Sequence, residues 1–159
     1  MTLLVDLLPP IGSDPSLVLE AFAEWAAVSA RPLYPHQEEA AISLASGDHV
    51  VLATPTGSGK SMVAIAGVLL AMNEGRRAVW TAPIKALVAE KFFDLVNLLG
   101  ARQVGLATGD AAINVDARVL VCTAEILANH ALATGPSSDF GFACLDEFHY
   151  YGDPDRGWA

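Results

Sequence analysis

Long apolar runs are missing from this chain: none reaches the roughly 18 residues needed to cross a bilayer. Charge is scarce as well, at 17% of 159 residues, while 53% of the residues are hydrophobic. That balance excludes a disordered chain and supplies a core for one domain of ordinary size. Basic residues are the rarest charge, nine Lys and Arg against 18 Asp and Glu, for a net charge of −9. Residues 1–30 hold Asp6, Asp14, Glu20 and Glu24 and no Lys or Arg. A broad basic footprint for a polyanion is therefore absent, although a groove can be locally positive inside an acidic domain. There are only two cysteines, Cys122 and Cys144, both within apolar segments. They are expected to be reduced core residues of a cytoplasmic protein rather than a disulfide. The N-terminus, MTLLVDLLPPIGSD, has no basic n-region and carries Asp6, which argues against a secretory leader. No internal repeat or low-complexity segment is present.

What is there is an alternation of helical and strand patterns. Residues 1–12 read as an extended lead-in, and Ser13-Asp14-Pro15 as a helix start. Leu17, Phe22, Trp25 and Val28 suggest an amphipathic helix to about residue 29. Tyr34-Pro35 opens a second helix to about residue 46. Strands are expected at 49–53, 78–82, 103–107, 118–122 and 142–145. Helices are expected at 59–73, 84–99 and 124–133. This alternation implies an α/β fold with a mainly parallel sheet and helices on both faces.

Residues 54–61, TPTGSGKS, follow an expected strand and open an expected helix, the context of a phosphate-binding P-loop. Its glycines let backbone N–H groups turn toward phosphate oxygens, and the helix N-terminus adds positive potential. Lys60 is placed to reach the β and γ phosphates of ATP and Ser61 to hold Mg²⁺. Thr54, Pro55, Thr56, Gly57, Ser58 and Gly59 supply the loop; Thr54 stands where the common pattern has glycine. The bland alternative is a Gly/Ser turn before an ordinary helix.

Residues 144–149, CLDEFH, place Asp146 and Glu147 at the carboxyl end of an apolar strand, the edge at which α/β folds bind ligands. By itself this is equally a solvated strand end with His149 as a packing residue, or a set of metal ligands. With a P-loop 86 residues before Asp146, it reads as a Walker B motif. Asp146 then holds Mg²⁺ through its water shell and Glu147 orients and deprotonates the attacking water. Gln37 lies just before the P-loop strand. Its amide can donate to and accept from an adenine edge, or it is simply an exposed helical glutamine. Trp25, Trp80, Phe92 and Phe93 read as packing residues, and Tyr34 as packing or an adenine stack.

Gln37, ATPTGSGKS, TAPIKALVAEK, TGD, TAEIL and DEFH occur in the order found in superfamily 2 helicases, and the chain resembles their DExH, Ski-like (superkiller, exosome-type) group, a bacterial branch of it included. The resemblance covers residue 31 onward. It implies a RecA-like P-loop NTPase domain over 31–159, cut short after the Walker B strand, with residues 1–30 as a lead-in and helix. It implies an ATP-hydrolysing, 3′-to-5′ helicase or translocase, RNA slightly preferred over DNA, needing ATP, Mg²⁺ and a second RecA-like domain. His149 joins the nucleotide-site residues. Pro83, Lys85, Thr108, Gly109, Thr123 and Glu125 become candidates for contact with the backbone of one RNA or DNA strand. Singly, each is as well read as local capping or a solvated residue. The extended segment 146–157, DEFHYYGDPDRG, also matches, and its Arg156 is expected to point away from the site. Other readings are a non-catalytic ATP-binding scaffold, a DNA-repair-type helicase and a P-loop kinase or metabolic ATPase.

Overall fold

The structure, a computed structural model, describes residues 3–29, 31–55 and 57–152. It forms two compact units, residues 1–75 and 76–159.

The first unit is helical. Residues 4–7 make one 3-10 turn with Leu4 fully buried, where the sequence pattern suggested an extended lead-in. Helix α1 spans Pro15–Val28; Asp14 caps it by accepting from the Ser16 amide at 2.9 Å, and Pro15 fills the first turn. Its buried stripe is Val18, Phe22 and Ala26, spaced four apart. Leu17 and Val28, assigned to that stripe from sequence, are exposed. Phe22 is buried and Trp25 half-buried, as the pattern implied; several apolar residues share the helix, and only tertiary contact chooses among them. Helix α2 spans Pro35–Ala45 and buries Gln37, Ala40 and Ala41. Helix α3, Lys60–Asn73, is apolar nearly all round, and its buried residues include every position from Ile65 to Asn73. Asn73 ties the N-terminal segment back to it: its amide donates to the Ser13 carbonyl at 2.9 Å.

Residues 49–53, expected as a strand, form neither helix nor strand and belong to no sheet, and Val51 is 91% exposed. A strand is defined by its ladder, and no described strand pairs with this one. Thr56 and the tail from Asp153 through Arg156 to Ala159 lie outside the described residues.

The second unit is built on a five-stranded sheet of order β3-β2-β4-β1-β5. The strands are β1 (Arg77–Ala82), β2 (Val104–Ala107), β3 (Ala112–Ile113), β4 (Val119–Thr123) and β5 (Phe140–Leu145). All pairs are parallel except β2 with the two-residue β3, which the sequence pattern did not reveal. The α-helices among the described residues of this unit are α4 (Lys85–Leu99) and α5 (Ala124–Thr134). The crossover from β1 to β2 runs one way along the sheet and that from β4 to β5 the other. Right-handed crossovers then place α4 and α5 on opposite faces. Side chains agree: Lys91 of α4 lies over the Trp80 ring, whereas Ile126 and Leu127 of α5 pack on Val79, Leu120 and Cys122 of the other face. At the amino edge of the sheet Arg77 bonds the Ala117 carbonyl at 2.8 Å and Asp139 at 3.0 Å, joining the starts of three strands.

Candidate nucleotide loop and strand-binding edge

In the first unit the loop before α3 has the backbone shape its glycines permit. Gly57 and Gly59 have φ of +85° and +78°, a region costly for any residue with a Cβ. Gly59 is the N-cap of α3, and among the described residues no side chain caps the helix there. Lys60 folds over the loop and donates to the Thr54 carbonyl at 2.7 Å. The hydroxyls of Thr54 and Ser58 bond to each other at 2.7 Å, and the Ser58 amide donates to the Pro55 carbonyl at 3.2 Å. Ser61 is half-buried on the first turn of α3. Free helix N–H groups, a cation and an inward-curled backbone fit a polyphosphate anion.

Gln37 is 3% exposed, not a surface residue. Its amide nitrogen donates to the carbonyls of Ser58 and Gly59 at 3.1 and 3.0 Å. Its oxygen accepts from the Tyr34 amide at 2.9 Å. Both amide hydrogens are committed to the loop, so facing an adenine edge would require surrendering one. Tyr34 is exposed and stacks on His36 at 5.8 Å.

In the second unit the parallel strands bring four separate sequence motifs to one edge of the sheet. Their carboxyl ends carry Thr108-Gly109 (β2), Thr123 and Glu125 (β4), Pro83 and Lys85 (β1), and Asp146-Glu147 (β5). In that lateral order the row is three strand spacings wide, about 14 Å. Lys85 is paired with Asp110 at 3.0 Å, and Thr108 also donates to Asp110, at 2.9 Å. Lys85 first and Thr108 second hold the Asp110 carboxyl below its usual range. Thr123 sits at the N-cap of α5 but makes no capping bond, and Glu125 is exposed.

Asp146 has one donor on each oxygen: the Glu147 amide on Oδ1 at 2.9 Å and the Trp80 indole N–H on Oδ2 at 3.2 Å. A carboxylate offers about four lone-pair sites, so one per oxygen stays open to the water shell of a cation. Glu147 has φ +51°, a left-handed conformation in a residue with a Cβ, and its carboxylate lies 3.4 Å from His149 Nδ1. Uncommon backbone at a polar strand end is frequent at functional sites. Among the described residues no group of three or more His, Cys, Asp or Glu is arranged to hold a metal alone. The Cys122 and Cys144 thiols are free, and burial pushes them up to about 11 and about 12. No helix among the described residues is long and apolar enough to cross a membrane.

The sequence pattern had named the loop and the strand ends but not the parts played by Trp80 and Asp110. Trp80 read as packing, and only the β1–β5 register reveals its polar partner. Asp110 belongs to the TGD segment, whose sequence assigns it no partner; the fold pairs it with Lys85 and Thr108.

A mainly parallel sheet and a glycine loop leading into a helix define an α/β domain of the RecA-like P-loop kind. The chain belongs to the DEAD/DEAH box helicase family, whose model matches residues 34–159. It is 38% identical over 122 residues to the probable helicase HelY of Mycobacterium tuberculosis, covering 76% of this chain and 14% of that protein. It is 40% identical over 123 residues to the antiviral helicase SKI2 of Saccharomyces cerevisiae, covering 76% of this chain and 10% of that one. The Ski-like resemblance and its bacterial counterpart are thus both represented. The chain spans a small part of these relatives' length. A crystal structure of the DUF1998 helicase MrfA, bound to DNA and AMPPNP, shares the fold: TM-score 0.65, 22% identity, 90% of this chain and 22% of that one.

Proposed function

We propose that this chain is the ATP-binding part of an ATP-hydrolysing nucleic-acid helicase or translocase, with residues 31–159 belonging to its first RecA-like domain. The loop of residues 54–61 carries this proposal most strongly: two glycines of positive φ, an uncapped helix start and the Lys60 ammonium all favour a triphosphate. In this account Lys60 meets the β/γ-phosphate charge and Gln37 holds the loop in shape. Asp146 would hold the water shell of Mg²⁺, Ser61 would be a ligand offered by the loop, and the ion would supply charge neutralisation. Glu147 orients a water and takes its proton as the water oxygen attacks the γ-phosphorus; the bond to the β,γ-bridging oxygen breaks and ADP leaves.

The row of loops at the carboxyl edge is proposed to meet the backbone of one strand. Backbone contacts of this kind carry no sequence information, consistent with a motor that moves along any sequence. The Ski-like wording of the motifs favours RNA; the helicase MrfA was crystallised bound to DNA. A second RecA-like domain and a cytoplasmic setting complete the proposal.

The test is Lys60→Ala in the full-length protein. ATP-dependent unwinding should vanish while strand binding without nucleotide persists. Unwinding at the normal rate would overturn the assignment of the loop. Parallel titrations with single-stranded RNA and DNA, as activators of hydrolysis, decide between the two polymers.

A further inference from the structure

A tryptophan inside a protein core usually finds an acceptor for its indole N–H. Trp80, only 1% exposed, finds the carboxylate of Asp146. The route is set by strand register. Trp80 pairs with Cys144 across β1 and β5, and Asp146 lies two residues further on, on the same face. The Asp146 backbone is pinned as well, its amide donating to the Thr81 carbonyl at 3.0 Å. Lys91 holds the ring from α4, its ammonium 5.2 Å from the indole centroid, and is itself paired with Asp94 at 3.3 Å. Ring and carboxylate therefore have little freedom to turn.

We infer that Trp80 is a positioning residue for the cation shell, acting through Asp146. This inference rests on the proposed function and adds a residue to it. With the indole on Oδ2 and the Glu147 amide on Oδ1, the plane of the carboxylate is fixed and one lone pair on each oxygen faces outward. Without the indole, Oδ2 gains a second free lone pair, and the side chain can rotate away from the orientation that a cation's water shell requires. Partners of metal-holding groups that set orientation in this way are worth roughly 10–100-fold in metal affinity or activity. A packing tryptophan would carry no such effect, since any aromatic ring of similar size would serve.

The decisive variant is Trp80→Phe, which keeps a ring beneath Lys91 and removes the N–H. Two readouts are taken on the full-length protein: ADP affinity by calorimetry with and without Mg²⁺, and the Mg²⁺ concentration giving half-maximal ATP hydrolysis. Expected are an ADP affinity without Mg²⁺ like that of the wild type, loss of most of the Mg²⁺-dependent gain, and a half-maximal Mg²⁺ concentration raised roughly tenfold or more. Asp146→Asn is run beside it. If Asp146→Asn leaves the Mg²⁺-dependent gain intact, the proposed role of Asp146 fails, and the inference with it. If Asp146→Asn removes the gain and Trp80→Phe retains it, the inference about Trp80 alone is overturned. Should Trp80→Phe not fold, the contact is measured on the 159-residue chain. Its three tryptophans give three indole N–H resonances, assigned by Trp25→Phe and Trp158→Phe. The Trp80 resonance should move in Asp146→Asn while that of Trp25 stays; a stationary Trp80 resonance overturns the inference.

Discussion

The side-chain amide of Gln37 donates to the carbonyl of Gly59 at 3.0 Å, so closely that a Cβ on Gly59 would run into the amide nitrogen. The pair spans 22 residues of sequence and joins α2 to the loop before α3. With the Ser58 carbonyl at 3.1 Å, the same amide closes two backbone acceptors of the loop. Gln37 is therefore a structural strut of the loop in this fold.

The strut makes an ordered prediction. Gln37→Ala should cost about 1–3 kcal/mol, because it removes bonds to two loop carbonyls and to the Tyr34 amide. Gln37→Glu should cost more, since a carboxylate sets acceptor against acceptor at Ser58 and Gly59. Thermal melting and ADP affinity of both variants give the check. If Gln37→Glu proves no worse than Gln37→Ala, the amide is not bonded to the loop carbonyls.

Glu147→Gln separates binding from chemistry. The side chain keeps its size and the left-handed backbone is untouched, but the oxygen that takes a proton is lost. Nucleotide affinity should stay within about twofold, while turnover falls by roughly 10²–10⁴. A parallel fall in both would make Glu147 a structural residue.

On the proposed strand-binding edge, Asp110 would compete with a backbone phosphate for Lys85. Their pair, at 3.0 Å, is exposed on both sides, so solvent screens it and it is easily exchanged. Asp110→Asn frees the ammonium and should tighten single-strand binding about two- to fivefold. The gain should disappear when Lys85→Ala is added. Equal affinities for Asp110→Asn and the wild type would place Lys85 away from the bound backbone.

The thiols offer a test of packing. Desolvation raises Cys122 to about 11 and Cys144 to about 12. The reactive thiolate is thus disfavoured in the folded state at any pH below that range and becomes available on unfolding. At pH 8 a disulfide reagent should label neither cysteine in the native chain and both in denaturant. Rapid native labelling would mean that β4 or β5 opens readily.

Much of this molecule follows from local rules that a sequence carries openly. Asp14 caps α1 because its carboxylate reaches an amide two residues away. Gly57 and Gly59 shape the loop because only glycine adopts their φ without strain. The apolar runs of β1, β2, β4 and β5 are short and β-rich enough to name themselves. What the tertiary structure decided lies between segments. Residues 49–53 have a strand's composition and no ladder, because pairing requires a neighbour that composition does not name. The strand order puts Thr108, Thr123, Lys85 and Asp146 in one row although their order along the chain is different. Gln37 turned inward to Ser58 and Gly59, and Trp80 to Asp146, because a buried donor goes to the acceptor that packing leaves beside it. Sequence sets which groups need partners; only the folded chain, by distance and register, selects which partners they take.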